Sequence, residues 1–157
     1  MSDESTRTIL EHSDFSTYIL ERLRSHKPKM LQDHCLVYVA GLLGRMIKIE
    51  TLYPITNTSC LVDRPVAIQL LEAAGEPNRK WRALALQCVG DNCLFLAGSC
   101  SENLKKQRLV KIDYFENIGS IAYQSAAEYA GPTQEALVDL AKNFKAATAL
   151  IQGLRLF

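Results

Sequence analysis

The feature that most constrains this chain is a regular apolar repeat close to the end of its sequence. After Thr133, apolar side chains recur at alternating intervals of three and four residues over two and a half heptads. This spacing places them along one face of an α-helix, and such a seam needs a second helix to cover it. The pattern predicts either a helical bundle or a helical dimer. The seam consists of Leu137, Leu140, Phe144, Ala147, Ile151 and Leu154.

Helical periodicity also dominates the rest of the chain. Apolar residues repeat every three or four positions in segments 14–23, 63–74, 77–89 and 109–129, and the tract 30–52 is apolar nearly all round, which predicts a central buried helix. The short run Cys93–Gly98 fits a buried helix or a strand, and helix is favoured. We therefore expect an all-α, single-domain bundle of six or seven helices over residues 13–157, after a flexible N-terminus of residues 1–12.

Composition and charge exclude several classes of partner. The 157 residues suit one domain, and 48% hydrophobic with 22% charged residues is close to the globular average. Lys and Arg number 18 against 17 Asp and Glu, so the basic surface of a nucleic-acid or membrane binder is not expected. Met1–Ser5 is polar, and the longest uncharged apolar tract, 35–44, is too short to span a bilayer. These observations predict a soluble, cytoplasmic protein without nucleic-acid or membrane partners.

The five cysteines favour a structural role. Their odd number, without an export signal, indicates reduced thiols. Cys88, Cys93 and Cys100 are separated by four and six residues, unlike the Cys-x-x-Cys pairs of zinc sites. Buried structural thiols are expected, and a thiol-based sensor that uses one of these three is the alternative.

The sequence motifs predict no catalytic residue, no cofactor and no metal. Glycine-rich phosphate loops and the Gly-x-Ser-x-Gly nucleophile motif are absent from the sequence. His34, the histidine inside an expected core helix, lacks a His or carboxylate at i+3 or i+4, so we interpret it as a hydrogen-bonded interfacial histidine. Asp113 and Glu116 share a helix face and are interpreted as solvated surface acids.

Asp91 is the most unusual polar residue, because it lies between two apolar runs. It fits an N-cap of the turn that follows, or a pocket carboxylate that faces Arg82 or Arg79. The second interpretation defines a speculative ligand site of Arg82, Asp91, Tyr114 and Tyr123. Tyr114 and Tyr123 lie on roughly opposite faces of one helix, and Tyr123 is expected to cover the space left by Gly119 one turn earlier.

A wider pattern runs through the same residues. Gly90-Asp91-x-x-Leu94-Phe95-x-Ala97-Gly98, followed by Asp113-Tyr114 and Gly119-x-x-Ala122-Tyr123, resembles an uncharacterised family of bacterial hypothetical proteins over residues 35–150. The resemblance implies a bacterial origin and a single helical domain, and it implies no activity or catalytic residue. The cysteines and the Lys-rich stretch 105–111 are not features of that family.

Together these observations predict a non-enzymatic interaction or small-ligand-binding module. The seam over residues 137–154 further predicts self-association as a homodimer, with an unidentified protein or small molecule as a further partner. The alternative is an enzyme or cofactor-binding protein with a pocket near Asp91, Tyr114 and Tyr123.

Overall fold

The chain folds into helices throughout its described part. The computed structural model describes residues 15–26, 28–52, 65–99, 111–129 and 131–155, and within them it has seven α-helices and no strand. The prediction of an all-α, single-domain bundle is therefore confirmed. Residues 1–12, Ser13 and Lys105, Lys106 and Arg108 lie outside the described residues. The helices are α1 (15–25), α2 (Asp33–Leu52), α3 (Val66–Ala74), α4 (Arg79–Ser99), α5 (Ile112–Ala127), α6 (Gln134–Lys142) and α7 (Phe144–Leu154).

The central helix is α4 rather than the expected α2. Every residue from Val89 to Gly98 is buried except the half-buried Asn92, and α4 packs against α2, α3, α5 and α7. In contrast, the Val37 side chain on α2 is 49% exposed. Gly90-Asp91-Asn92 has the composition of a turn, yet the helix continues through it, because burial against four neighbours outweighs weak local helix propensity. The helical interpretation of Cys93–Gly98 is confirmed.

The predicted last helix is interrupted once. Asn143, with φ −120° and ψ 34°, separates α6 from α7. Its side-chain Nδ2 donates hydrogen bonds to the Asp139 carboxylate oxygen Oδ1 at 2.8 Å and to the Asp139 carbonyl at 3.2 Å. Asparagine often makes such local bonds in place of regular helix bonds, which explains the break. The apolar spacing continues across it, and for that reason the pattern alone shows one helix.

The C-terminal seam is covered within a single chain. Each of its six side chains is at most 3% exposed, and α6 and α7 pack against α5, with α7 also against α4. The seam therefore serves as bundle core, and it offers no surface to a second copy. The expectation of a dimer through this seam is wrong, while self-association by another surface stays a prediction.

Two glycines allow close contacts beside Asp91. The space at Gly119 is occupied by the ring of Phe144, not by Tyr123 as expected. The Tyr123 ring instead lies against Gly90, where a Cβ atom would stand 2.5 Å from its Cδ1 and Cε1 atoms. Tyr123 is fully buried there, and in this position its hydroxyl contacts Asp91, the residue after Gly90.

Among the described residues, no helix has both the length and the apolar character needed to cross a bilayer.

Candidate functional site

Asp91 lies in the middle of α4 and joins three helices. The Tyr123 hydroxyl of α5 donates to Asp91 Oδ1 at 2.6 Å, and the Tyr38 hydroxyl of α2 donates to the same oxygen at 2.7 Å. The two tyrosine rings meet edge to face, with centroids 6.2 Å apart. We call Asp91, Tyr38 and Tyr123 the tyrosine–aspartate clamp. Asp91 is therefore neither an N-cap nor a partner of Arg82, and both sequence interpretations of it are wrong.

The outer side of the clamp faces the surface. Arg45 Nη2 is 3.7 Å from Asp91 Oδ2, and the Arg45 side chain is 61% exposed. Gln87 Nε2 donates to the Tyr38 hydroxyl at 2.8 Å. Burial raises the pKa of Asp91, although hydrogen bonds from Tyr123 and Tyr38 and the charge of Arg45 act in the opposite direction.

The clamp tyrosines stay protonated. Burial first, and then the Asp91 carboxylate, raise the pKa of both Tyr38 and Tyr123. Their hydroxyls are consequently fixed hydrogen-bond donors and cannot act as general bases at neutral pH. This geometry suits a structural role, in which one buried oxygen holds α2, α4 and α5 together.

The other two residues of the predicted ligand site lie elsewhere. The Tyr114 hydroxyl accepts a hydrogen bond from the Ala67 amide on α3 at 3.1 Å. Arg82 Nε donates to the Glu76 carbonyl at 2.7 Å, and the guanidinium lies 5.8 Å from the Tyr129 ring centroid. The structure therefore brings Asp91 and Tyr123 together, and it places Tyr114 and Arg82 against other parts of the α3–α4–α5 region.

Glu116 differs from its expected surface position. Its side chain is only 7% exposed, whereas Asp113, one turn earlier, is exposed. Burial and the nearby Asp113 raise the pKa of Glu116, against the opposing charge of Lys145. The interpretation of Glu116 as a solvated acid is wrong, because its helix face is covered where α5 meets the α6–α7 junction.

The described cysteines are poor nucleophiles in this structure. Cys35, Cys88 and Cys93 are free thiols, and burial is the leading cause that raises the pKa of each. For Cys93 the pKa rises to about 12. Because the thiolate is the reactive form, these three thiols lack the low pKa of a redox sensor.

A second polar cluster lies where the start of α2 meets α6. The Cys35 thiol donates to Asp139 Oδ2 at 3.1 Å, and the Gln32 amide donates to the same oxygen at 3.1 Å. Burial disfavours the Asp139 carboxylate, but these donors and Asn143 outweigh it, so the pKa of Asp139 is lowered. Asp139 is therefore an anion that also binds the backbone amide of Gln32, just before α2.

His34 completes this cluster. One of its ring nitrogens, Cys35 Sγ and an Asp139 carboxylate oxygen all lie within 4.8 Å of one another. Its Nε2 atom is buried without a hydrogen-bond partner among the described residues, so the prediction of a hydrogen-bonded histidine is wrong. We call His34, Cys35 and Asp139 the donor triad. Nitrogen, sulfur and oxygen donors of this kind bind transition-metal ions.

Sequence reasoning missed the triad for a specific reason. The positions one turn after His34 hold no metal-binding side chain, whereas Asp139 is 104 residues beyond Cys35 in the chain. The residue types were visible, but only the packing of α6 on α2 brings them together. No local sequence pattern predicts the contact between α6 and α2.

The donor triad adjoins an open groove between α2 and α6. The groove has a volume of about 410 Å³ and is bounded by polar side chains together with one valine. The described residues that line it are Gln32, His34, Gln134, Glu135, Val138, Asp139 and Lys142.

Comparison with known proteins adds no functional information. No protein-family model, no curated protein and no solved structure matches the chain. The resemblance to a family of bacterial proteins, and the bacterial origin that it implies, therefore stay predictions.

Proposed function

We propose that this protein is a non-enzymatic binding module that takes up a small polar ligand in the groove between α2 and α6. The observation that carries the proposal is a groove of about 410 Å³ whose wall includes the polar side chains of His34, Asp139 and Lys142. This volume falls within the range of about 300–1,000 Å³ that is typical of small-molecule sites.

The lining of the groove indicates the chemistry of the ligand. Lys142 offers a positive charge, and Glu135 and Asp139 offer negative ones, while the amides of Gln32 and Gln134 both donate and accept hydrogen bonds. Opposite charges at one small site match a zwitterion. A free amino acid is the simplest molecule of this class.

The non-enzymatic part of the proposal is supported by the protonation states of the candidate groups. The clamp tyrosines and the described thiols have raised pKa values, and the four residues of the alternative enzymatic pocket do not converge. We place this function in the cytoplasm, since the free thiols of the described residues suit a reducing compartment.

The test is ligand-observed saturation-transfer NMR with the common free amino acids. Val138→Trp fills the groove from a side chain that is 37% exposed, and Ile121→Trp is the matched control at a 49% exposed position on α5. We expect at least one amino acid to bind the wild type, to bind Val138→Trp at least tenfold more weakly, and to bind the control unchanged. Absence of binding by the whole panel, or equal binding to Val138→Trp, would contradict the proposal.

Self-association through the outer faces of α3 and α4 is a second candidate. Four of the ten exposed large hydrophobic side chains among the described residues lie on these two adjoining helices, and concentrated apolar exposure marks interaction surfaces. They are Ile68 (46% exposed), Leu71 (72%), Trp81 (60%) and Leu84 (45%).

Light scattering during size-exclusion chromatography tests this candidate. We expect a dimer mass for the wild type and a monomer mass for Leu71→Ser, with Ile121→Ser as the control that stays dimeric. A monomer mass for the wild type at every concentration would exclude this homodimer.

A further inference from the structure

We propose that the donor triad of His34, Cys35 and Asp139 is a binding site for a divalent zinc ion at the wall of the groove. The inference deepens the proposed function and rests on it only for the role of the groove, because the ion would form part of the ligand site. It departs from the sequence prediction that the chain binds no metal.

The distances in the triad are close to those of a zinc site. Zinc bonds are about 2.3 Å to sulfur and about 2.0–2.2 Å to nitrogen and oxygen, so tetrahedral ligands stand roughly 3.3–3.6 Å apart. Cys35 Sγ and Asp139 Oδ2 are 3.1 Å apart, and all three donor atoms lie within 4.8 Å of one another. Side-chain shifts of about 1 Å are therefore enough to place the three atoms around one ion.

The charges of the triad match a divalent ion. The Asp139 carboxylate accepts hydrogen bonds from the Cys35 thiol and from the Gln32 amide, both at 3.1 Å. When zinc binds, the Cys35 S–H bond breaks, its electron pair forms the Zn–S bond, and the proton leaves to solvent. Thiolate, carboxylate and neutral imidazole then balance the two positive charges of the ion.

His34 is the residue that the empty cluster leaves unexplained. Hydrogen bonds account for Cys35 and Asp139, which contact each other and the backbone at Gln32 and Ala136. The His34 Nε2 atom has no such account among the described residues. A metal ion accepts an imidazole lone pair directly, so an ion bound through Nε2 would supply the missing partner.

Three protein ligands leave one position of a tetrahedral zinc ion open. Sites with three protein donors and one exchangeable position bind water or a ligand group there. His34 and Asp139 both line the groove, so the open position is directed at its contents. A carboxylate group of a bound amino acid is suited to that position.

The experiment is titration of the chelator-stripped, full-length protein with Zn²⁺ by calorimetry, and with Co²⁺ by absorption spectroscopy. We expect one ion per chain and, for Co²⁺, a thiolate charge-transfer band together with the visible bands of tetrahedral cobalt. His34→Gln, Cys35→Ser and Asp139→Asn should each weaken Zn²⁺ binding at least tenfold, and Cys35→Ser should remove the charge-transfer band.

The matched controls are Cys88→Ser and His26→Gln, which change the same residue types at exposed positions outside the triad. Both should bind Zn²⁺ as the wild type does. Lack of stoichiometric binding by the wild type would overturn the inference, as would undiminished binding by His34→Gln and Asp139→Asn variants that retain the wild-type circular dichroism spectrum.

The same variants separate this inference from the proposed function. Val138→Trp should lose amino-acid binding and keep the Zn²⁺ stoichiometry. If the wild type binds Zn²⁺ but no amino acid, the metal site stands and the ligand proposal fails. If an amino acid binds the metal-free protein and Zn²⁺ does not bind, the ligand proposal stands and the metal site fails.

Discussion

Replacement of Gly90 by alanine tests the close packing of Tyr123 against α4. The added Cβ atom would stand 2.5 Å from two ring carbons of Tyr123, a fully buried side chain whose hydroxyl is held by Asp91. Overpacking of this kind costs about 1–3 kcal/mol, and loss of a hydrogen bond to a charged group costs about 1.5–3 kcal/mol. Alanine regains about 1 kcal/mol over glycine inside a helix. We expect a net decrease of about 1.5–5 kcal/mol in the free energy of unfolding.

Gly41→Ala is the matched control, because Gly41 also lies inside a long helix. A Cβ atom there meets no atom of the described residues within 4 Å, so only the helix propensity changes. We expect this variant to gain about 0.5–1 kcal/mol. Urea unfolding followed by far-ultraviolet circular dichroism measures both variants against the wild type. If Gly90→Ala is as stable as Gly41→Ala, the packing argument for Tyr123 is refuted.

Three further changes test the clamp, the core and the thiols. Since burial raises the pKa of Asp91, its stabilising contribution is complete below its ordinary pKa of about 4 and is lost as the pH rises through the raised value. Asp91→Asn should therefore gain stability relative to the wild type as the pH rises, and urea titrations that give the opposite slope would contradict this sign. Leu140→Ala, at a fully buried seam position, should lower the free energy of unfolding by about 2–5 kcal/mol at every protein concentration; a loss that depends on concentration would point to an intermolecular seam. With the two cysteines outside the described residues changed to serine, a thiol reagent should modify Cys88 in the native state and leave Cys35 and Cys93 unmodified; rapid modification of Cys93 would contradict its burial.

Local periodicity was enough to predict the helices, because amphipathic spacing depends on near neighbours in the chain. Periodicity gave the wrong prediction where contacts between residues distant in sequence determine whether a segment is helical. Asp91 looks like a cap in the sequence because of Gly90 and Asn92, yet burial on all sides of α4 keeps this segment helical. The same limit hid the break at Asn143, since the apolar spacing continues across it.

The candidate site was less predictable than the fold. Asp91 and Tyr123 were named from the sequence, and the structure does join them, but through packing against Gly90 that periodicity does not reveal. Arg82 and Tyr114 were predicted to belong to the same site because of their polarity alone. In the structure Arg82 binds the Glu76 carbonyl and Tyr114 binds the Ala67 amide. His34 was judged by positions one turn away, whereas its neighbour Asp139 comes from α6.

The tyrosine–aspartate clamp also has a consequence for the kinetics of folding. Its two hydrogen bonds close chain segments of 53 and 32 residues, so both require helices that are distant in sequence to have docked already. Loop closure of this kind comes late, whereas the contacts inside each helix form early. We expect removal of the Tyr123 hydroxyl to speed unfolding and to leave the folding rate nearly unchanged. The clamp then contributes to the kinetic stability of the bundle, because it slows unfolding.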